Sequence, residues 1–170
     1  ISGPDEGRKY PSGNQHEGRL YFWGGEDENS VLLNSLRIYD VESGLWIDGE
    51  SGGTPRKNQG SVLWNGQIYF WGGIDSSGTA LGSVDIYDIG SDSWLVGEPG
   101  GRARYSDSLT LYQHQAIALV GVDSLGTVVS SVDSFRFEAD SGISWLRGVS
   151  GGTARSSHQV VSHRGKAFFL

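Results

Sequence analysis

At 170 residues the chain is long enough for one domain with a sizeable core and too short for two. Its 20 acidic residues against 13 basic ones give a formal charge of −7, which repels polyanions and anionic lipid and disfavours nucleic-acid or membrane-surface roles. Without cysteine there are no disulfides, no thiol catalysis and no thiolate metal sites, and the compartment is left open.

No apolar run approaches the roughly eighteen residues of a membrane span, and the start, ISGPDEGRKY, has neither the basic nor the apolar region of a signal peptide. The chain also has no methionine, which suggests a piece of a longer polypeptide.

The stretch YFWGG occurs at residues 21–25 and again at 69–73. The same shift of 48 residues carries GGTPR (52–56) onto GGRAR (100–104), Trp46 onto Trp94, Tyr39 onto Tyr87 and SVDIY (83–87) onto SVDSF (131–135). Three extra residues after Phe135 move the shift to 51, and GGRAR then falls on GGTAR (151–155). The units so defined are 1–48, 49–96, 97–147 and a partial one, 148–170. A period near fifty residues points to a repeat architecture.

The first unit has SGNQHEG (12–18) where the second has GSVLWNG (60–66), so polar residues replace valine, leucine and tryptophan and make a strand doubtful there. In the second unit, SVLWNGQIYFW places two apolar runs around Asn65-Gly66, the dipeptide whose positive φ suits a two-residue hairpin. SVDIYD and a strand starting at Trp94 form a second pair across IGSDS. The third unit carries Val120 where a glycine belongs, and the remnant GGTARSSHQVVSHRGKAFFL repeats a first hairpin. No segment keeps helical apolar spacing, and 27 glycines weaken any helix. The expected fold is all-β: a β-propeller of about three four-stranded blades plus a half blade.

The ordered set Gly24-Gly25, Tyr39 and Trp46, then Gly72-Gly73, Tyr87 and Trp94, then Val120-Gly121, Phe135 and Trp145, with an arginine opening each first strand, resembles the kelch repeat. That resemblance implies a kelch-type propeller and gives those glycines and tryptophans structural roles. Three and a half blades imply an incomplete part of a larger propeller, its remaining blades supplied by the same longer chain or by a partner chain.

Catalytic signals reduce to scaffold on inspection. GESGG (49–53) and GVSGG (148–152) spell G-x-S-x-G, but the middle unit has GEPGG with Pro99 in the serine position and no helix follows, so Ser51 and Ser150 read as repeat linkers. The histidines at 16, 114, 158 and 163 show no metal-ligand spacing. Among kelch-like enzymes, galactose oxidase relatives need a cysteine, and the E-x-x-x-D-x-x-x-H iron motif of plant specifier proteins is absent. A sialic-acid mutarotase-like activity has no compact signature to test. The expectation is therefore a non-catalytic module without metal or cofactor.

The resemblance puts the second-to-third-strand loops at one mouth of the disc, where Glu26, Asp27, Glu28, Asn29, Asp75, Ser76, Ser77, Asp123 and Ser124 are the candidate binding residues. Glu26 to Glu28 form the densest acidic run, which a basic partner could match. Arg8, Arg56, Arg104 and Arg155 recur with the repeat and either ring the channel or pair with neighbouring blades. A protein partner is the leading expectation; the alternatives are a glycan, with Trp64 stacking on a sugar ring, and a structural subunit of a larger assembly.

Overall fold

Asn65 and Gly66 both take positive φ, 48° and 75°, and turn the chain between Trp64 and Gln67, which pair across the ladder. That hairpin is the seed of a four-stranded unit built three times. A computed structural model describes residues 7–106, 108–138, 142–150, 160–163 and 166–169.

The first sheet comprises β1 (Ser12–His16), β2 (Arg19–Trp23), β3 (Leu36–Asp40) and β4 (Leu45–Gly49). The second comprises β5 (Lys57–Trp64), β6 (Gln67–Ile74), β7 (Val84–Asp88) and β8 (Ser93–Gly97). The third comprises β9 (Ser108–Tyr112), β10 (Gln115–Leu119), β11 (Ser131–Phe137) and β12 (Ile143–Ser150). Each is an antiparallel meander in sequence order, and β13 (Val160–His163) pairs with β14 (Lys166–Phe169) as a separate hairpin. Among the described residues there is no helix.

First strands contact first strands: β1 meets β5, β5 meets β9 and β9 meets β13. The first strands therefore lie at the inside of the array and the fourth strands at its perimeter. A strained residue lies at the start of β1, β5 and β9 alike. Tyr10, Asn58 and Ser106 all hold φ between 52° and 58°, the Asn58 N–H donates to the Tyr10 carbonyl at 3.4 Å, and the Ser106 N–H donates to the Asn58 carbonyl at 3.0 Å. These bonds join sheet to sheet, and the left-handed backbone serves them.

The sheets pack face to face through aromatics. Trp23, with no exposed surface, lies 4.6 Å from Phe70 and 5.1 Å from Trp94, and Trp71 lies 5.4 Å from Trp145. Burying such a ring is worth about 1.5–3 kcal/mol or more. Their indole N–H groups are also satisfied, Trp23 by the Asn34 and Gly52 carbonyls at 3.1 Å and Trp71 by that of Gly100 at 3.1 Å. Each large ring thus fixes the linker that leads to the next sheet.

One sequence expectation meets a different outcome. The polar stretch 12–18 does contain a strand, β1, paired with β2 along its whole length. Its polarity is accommodated by bonds between sheets: Asn14 Nδ2 donates to Ser61 Oγ at 2.7 Å, and Gln59 Nε2 donates to Ser12 Oγ at 2.9 Å. At Val120 the backbone keeps the glycine conformation, with φ 53°, despite the β-branched side chain. Burial of that side chain, 7% exposed, offsets part of the strain.

Candidate functional site

The doublets position the loops that follow the second strands. Gly25 holds φ 89° and Gly73 φ 88°, and their N–H groups donate to the carbonyls of Arg56 at 2.8 Å and Arg104 at 2.9 Å in the next unit. A Cβ on Gly24 would lie 2.8 Å from the Arg56 carbonyl oxygen, so the close approach of adjacent sheets requires glycine there. Gly72 holds φ 72° beside Gly73, and Gly121 holds φ 126° beside Val120. The loops after the first two doublets are thereby anchored to the next sheet.

Within each loop one aspartate organises the turn. Asp27 Oδ1 accepts the N–H groups of Asn29 and Val31 at 2.9 and 2.8 Å; Asp75 Oδ1 accepts those of Ser77 and Thr79, both at 2.9 Å; Asp123 Oδ1 accepts those of Leu125 and Thr127 at 3.0 and 2.9 Å. The Ser77 hydroxyl adds a bond of 2.6 Å to Asp75 and, with the loop N–H groups, holds that carboxyl below the usual aspartate range. Asp123 is lowered chiefly by the Thr127 N–H. The three acids sit at one repeat position and build three loops of one design.

The rest of the rim divides by exposure. Glu28, Asn29, Ser76 and Ser77 are exposed at the loop tips, and Ser124, also exposed, accepts the Ala80 N–H at 2.9 Å and so ties the third loop to the second. Glu26 is not a surface residue: it is 6% exposed and paired with Lys57 of the second sheet, at a position where the other units carry Ile74 and Val122. The acidic run 26–28 therefore presents Glu28 outward, while Glu26 is held in the seam. Sequence reasoning missed two apolar tip residues, Val31 (58% exposed) and Leu125 (90%). Their departure from the repeat, with Thr79 and Ser77 at the equivalent positions of the second unit, was the available signal.

Ser30, with φ 64°, stands where the other loops have Gly78 and Gly126 at φ 81° and 77°. Because Ser30 is exposed, glycine loses no packing there. Ser30→Gly is expected to raise stability by about 0.5–1 kcal/mol. A thermal melt would check this, and a lowered midpoint would contradict the strain argument.

Two of the repeat arginines are buried inside their sheets. Arg56 and Arg104, both 0% exposed, reach across strands of their own sheet. Arg56 donates to the carbonyls of Gly72 at 2.9 Å and Ser83 at 3.2 Å, to Ser83 Oγ at 3.0 Å and to Asp85. Arg104 repeats the set with Val120 at 3.2 Å, Ser131 at 2.8 and 3.0 Å, and Asp133. Each guanidinium also covers the preceding sheet's tryptophan, Trp23 at 5.7 Å and Trp71 at 5.4 Å. Burial lowers the Arg56 pKa from its ordinary value, with Asp85 opposing. Arg8 bonds the Ser35 carbonyl and hydroxyl at 3.0 Å, whereas Arg155 lies outside the described residues.

The repeat tryptophans and Trp64 lie against other aromatic rings. Trp46, Trp94 and Trp145 lie 5.1, 5.3 and 5.0 Å from Tyr39, Tyr87 and Phe135 of their own sheets. Trp64 is stacked on Phe137 at 5.2 Å and met by His114 at 5.1 Å. Ser51 is exposed in the linker between sheets, and the side chain of Ser150 lies outside the described set, as does His158. Among the described residues no group of three or more His, Asp or Glu could hold a metal ion.

Four-stranded meanders standing side by side on their first strands define a β-propeller, here in three sheets. Residues 55–100 match the Kelch motif, so the second unit is a kelch repeat. Among solved structures the chain is similar to YjhT, with a TM-score of 0.85 at 12% identity over 99% of this chain. It spans 60% of that chain's length. A comparison with the curated proteins found no sequence match.

Proposed function

We propose that the chain is a non-catalytic interaction scaffold, in which a rigid kelch-type disc presents the loops 26–34, 74–82 and 123–130 to a protein partner and further sheets complete the disc. The observation that carries this reading is a constant frame with variable tips. One aspartate per loop pins the backbone in the same way, while the tip residues differ: Glu28 and Val31, Ser76 and Ser77, Ser124 and Leu125. Rigid loops with unlike tips give specificity at low entropic cost. Exposed leucine and valine beside acids suit a partner with an apolar pocket and basic surroundings. Trp64, the aromatic that would serve a glycan, is engaged by Phe137 and His114, so no observation favours the carbohydrate reading.

The test is a tip variant, Leu125→Asp with Glu28→Lys, whose expected result is loss of partner capture from native material with an unchanged melting midpoint. Capture equal to wild type, or a thermal shift produced by a simple sugar but by no protein fraction, would overturn the reading.

A further inference from the structure

The seam between the first and second sheets has a charge code at its mouth. Lys57, the residue after the clamp Arg56, crosses to Glu26, the residue after the doublet Gly24-Gly25. In the next seam the same two positions hold Tyr105 and Ile74, so this polar pair belongs to one seam and is not demanded by the repeat. On the other side of the first sheet Lys9 stands at the Lys57 position. It follows Arg8, and its backbone bridges Glu26 as that of Lys57 pairs with Ile74. Lys9 is exposed and pairs with no acid among the described residues.

The face beside Lys9 repeats the receiving half of the established seam. Phe22, Tyr39 and Trp46 occupy the positions of Phe70, Tyr87 and Trp94, two of which receive Trp23 at 4.6 and 5.1 Å. Phe22 and Tyr39 lie 5.7 and 5.1 Å from Trp46, and all three remain partly exposed. Arg37 and Asp48, opposite each other across β3 and β4, form an ion pair with each other. Among the described residues Lys9 is the charge left for a neighbour.

We propose that this face receives a further kelch-type sheet whose second strand ends in a bulky apolar residue, two glycines and an acid, the acid pairing with Lys9. The inference rests on the reading that further sheets complete the disc, and it specifies the chemistry of the one that closes against this side. None of the three four-stranded sheets of a second copy supplies it. Only Trp23-Gly24-Gly25-Glu26 has that order, and its face is already occupied by the second sheet; the third sheet offers Leu119 and Val122 at the wedge and acid positions.

The test compares Lys9→Glu with Lys57→Glu. In the 170-residue chain alone, Lys57→Glu is expected to lower the melting midpoint by roughly 3–8 °C and Lys9→Glu to leave it unchanged. In the disc assembled with its remaining sheets both are expected to lower it, and exchanging the acid after the neighbouring doublet for lysine is expected to restore the Lys9→Glu variant. The proposal is overturned if Lys9→Glu is silent in the assembled disc while Lys57→Glu is not, if both are silent, or if the isolated chain forms a dimer that Lys9→Glu dissociates. Loop-tip variants are read by partner capture and these by melting, so failure of one reading is separable from failure of the other.

Discussion

Replacing Arg56 by leucine is expected to lower the stability of the chain by roughly 3–5 kcal/mol, because it leaves a buried carboxylate without its cation. The guanidinium is 0% exposed and supplies donors to the Thr54, Gly72 and Ser83 carbonyls at 3.1, 2.9 and 3.2 Å, to the Ser83 hydroxyl and to Asp85. Leucine fills part of the volume and satisfies none of these. Asp85, 4% exposed, would keep only the Thr54 N–H at 3.1 Å. Lysine fares little better, since one ammonium cannot reproduce a planar fork across several acceptors. The double variant Arg56→Leu with Asp85→Leu removes the orphaned charge and is expected to recover part of the loss, giving a coupling of about 1–3 kcal/mol. Urea unfolding of the four species measures it. A single variant within about 1 kcal/mol of wild type would show that the clamp is dispensable.

The parts of the fold that are local demands were legible in the sequence. Asn65-Gly66 and the doublets announce positive φ, and the recurrence of Trp46, Trp94 and Trp145 announces a repeated packing surface. Strand β1 was obscured because its apolar pattern is missing: SGNQH is held by backbone pairing with β2 and by Asn14 and Ser12 bonding to the second sheet, neither of which periodicity reports. The arginines were visible as repeats, yet their role depends on groups some thirty residues ahead, Ser83 and Asp85 for Arg56 and Ser131 and Asp133 for Arg104. The signal was present in the paired SVD of 83–85 and 131–133. The rim was half legible. Asp27, Asp75 and Asp123 recur at the repeat interval because they build the loops, whereas Glu26 replaces the isoleucine and valine of its equivalents because it pairs inside a seam. A residue that repeats serves the frame, and one that breaks the repeat serves something particular to its own sheet.

Gly52→Ala is the second large expected effect, a loss of about 2–3 kcal/mol and roughly 5–10 °C of melting temperature. A Cβ at Gly52 would lie 2.4 Å from Trp94 Cδ1 and 2.5 Å from Cγ, and at Gly100 the same construction meets Trp145 at 2.5 and 2.6 Å. These are the ring atoms nearest the backbone, which move least when a side chain adjusts. Trp94 also has nowhere to retreat. Trp23 lies 5.1 Å away, Tyr87 5.3 Å and Phe70 5.7 Å, while the indole N–H donates to the Glu50 carbonyl at 2.8 Å on the linker that carries Gly52. The clash therefore passes to the spacing between the first and second sheets. Gly18→Ala is the control: φ there is 75° but nothing lies within 4 Å of the added carbon, so only the backbone penalty of about 1 kcal/mol applies. Trimming the ring with Trp94→Leu is expected to make Gly52→Ala nearly neutral in that background, because the obstacle is gone. If Gly52→Ala costs no more than Gly18→Ala, or if its cost is unchanged when Trp94 is leucine, the linker does not set the distance between sheets through that contact.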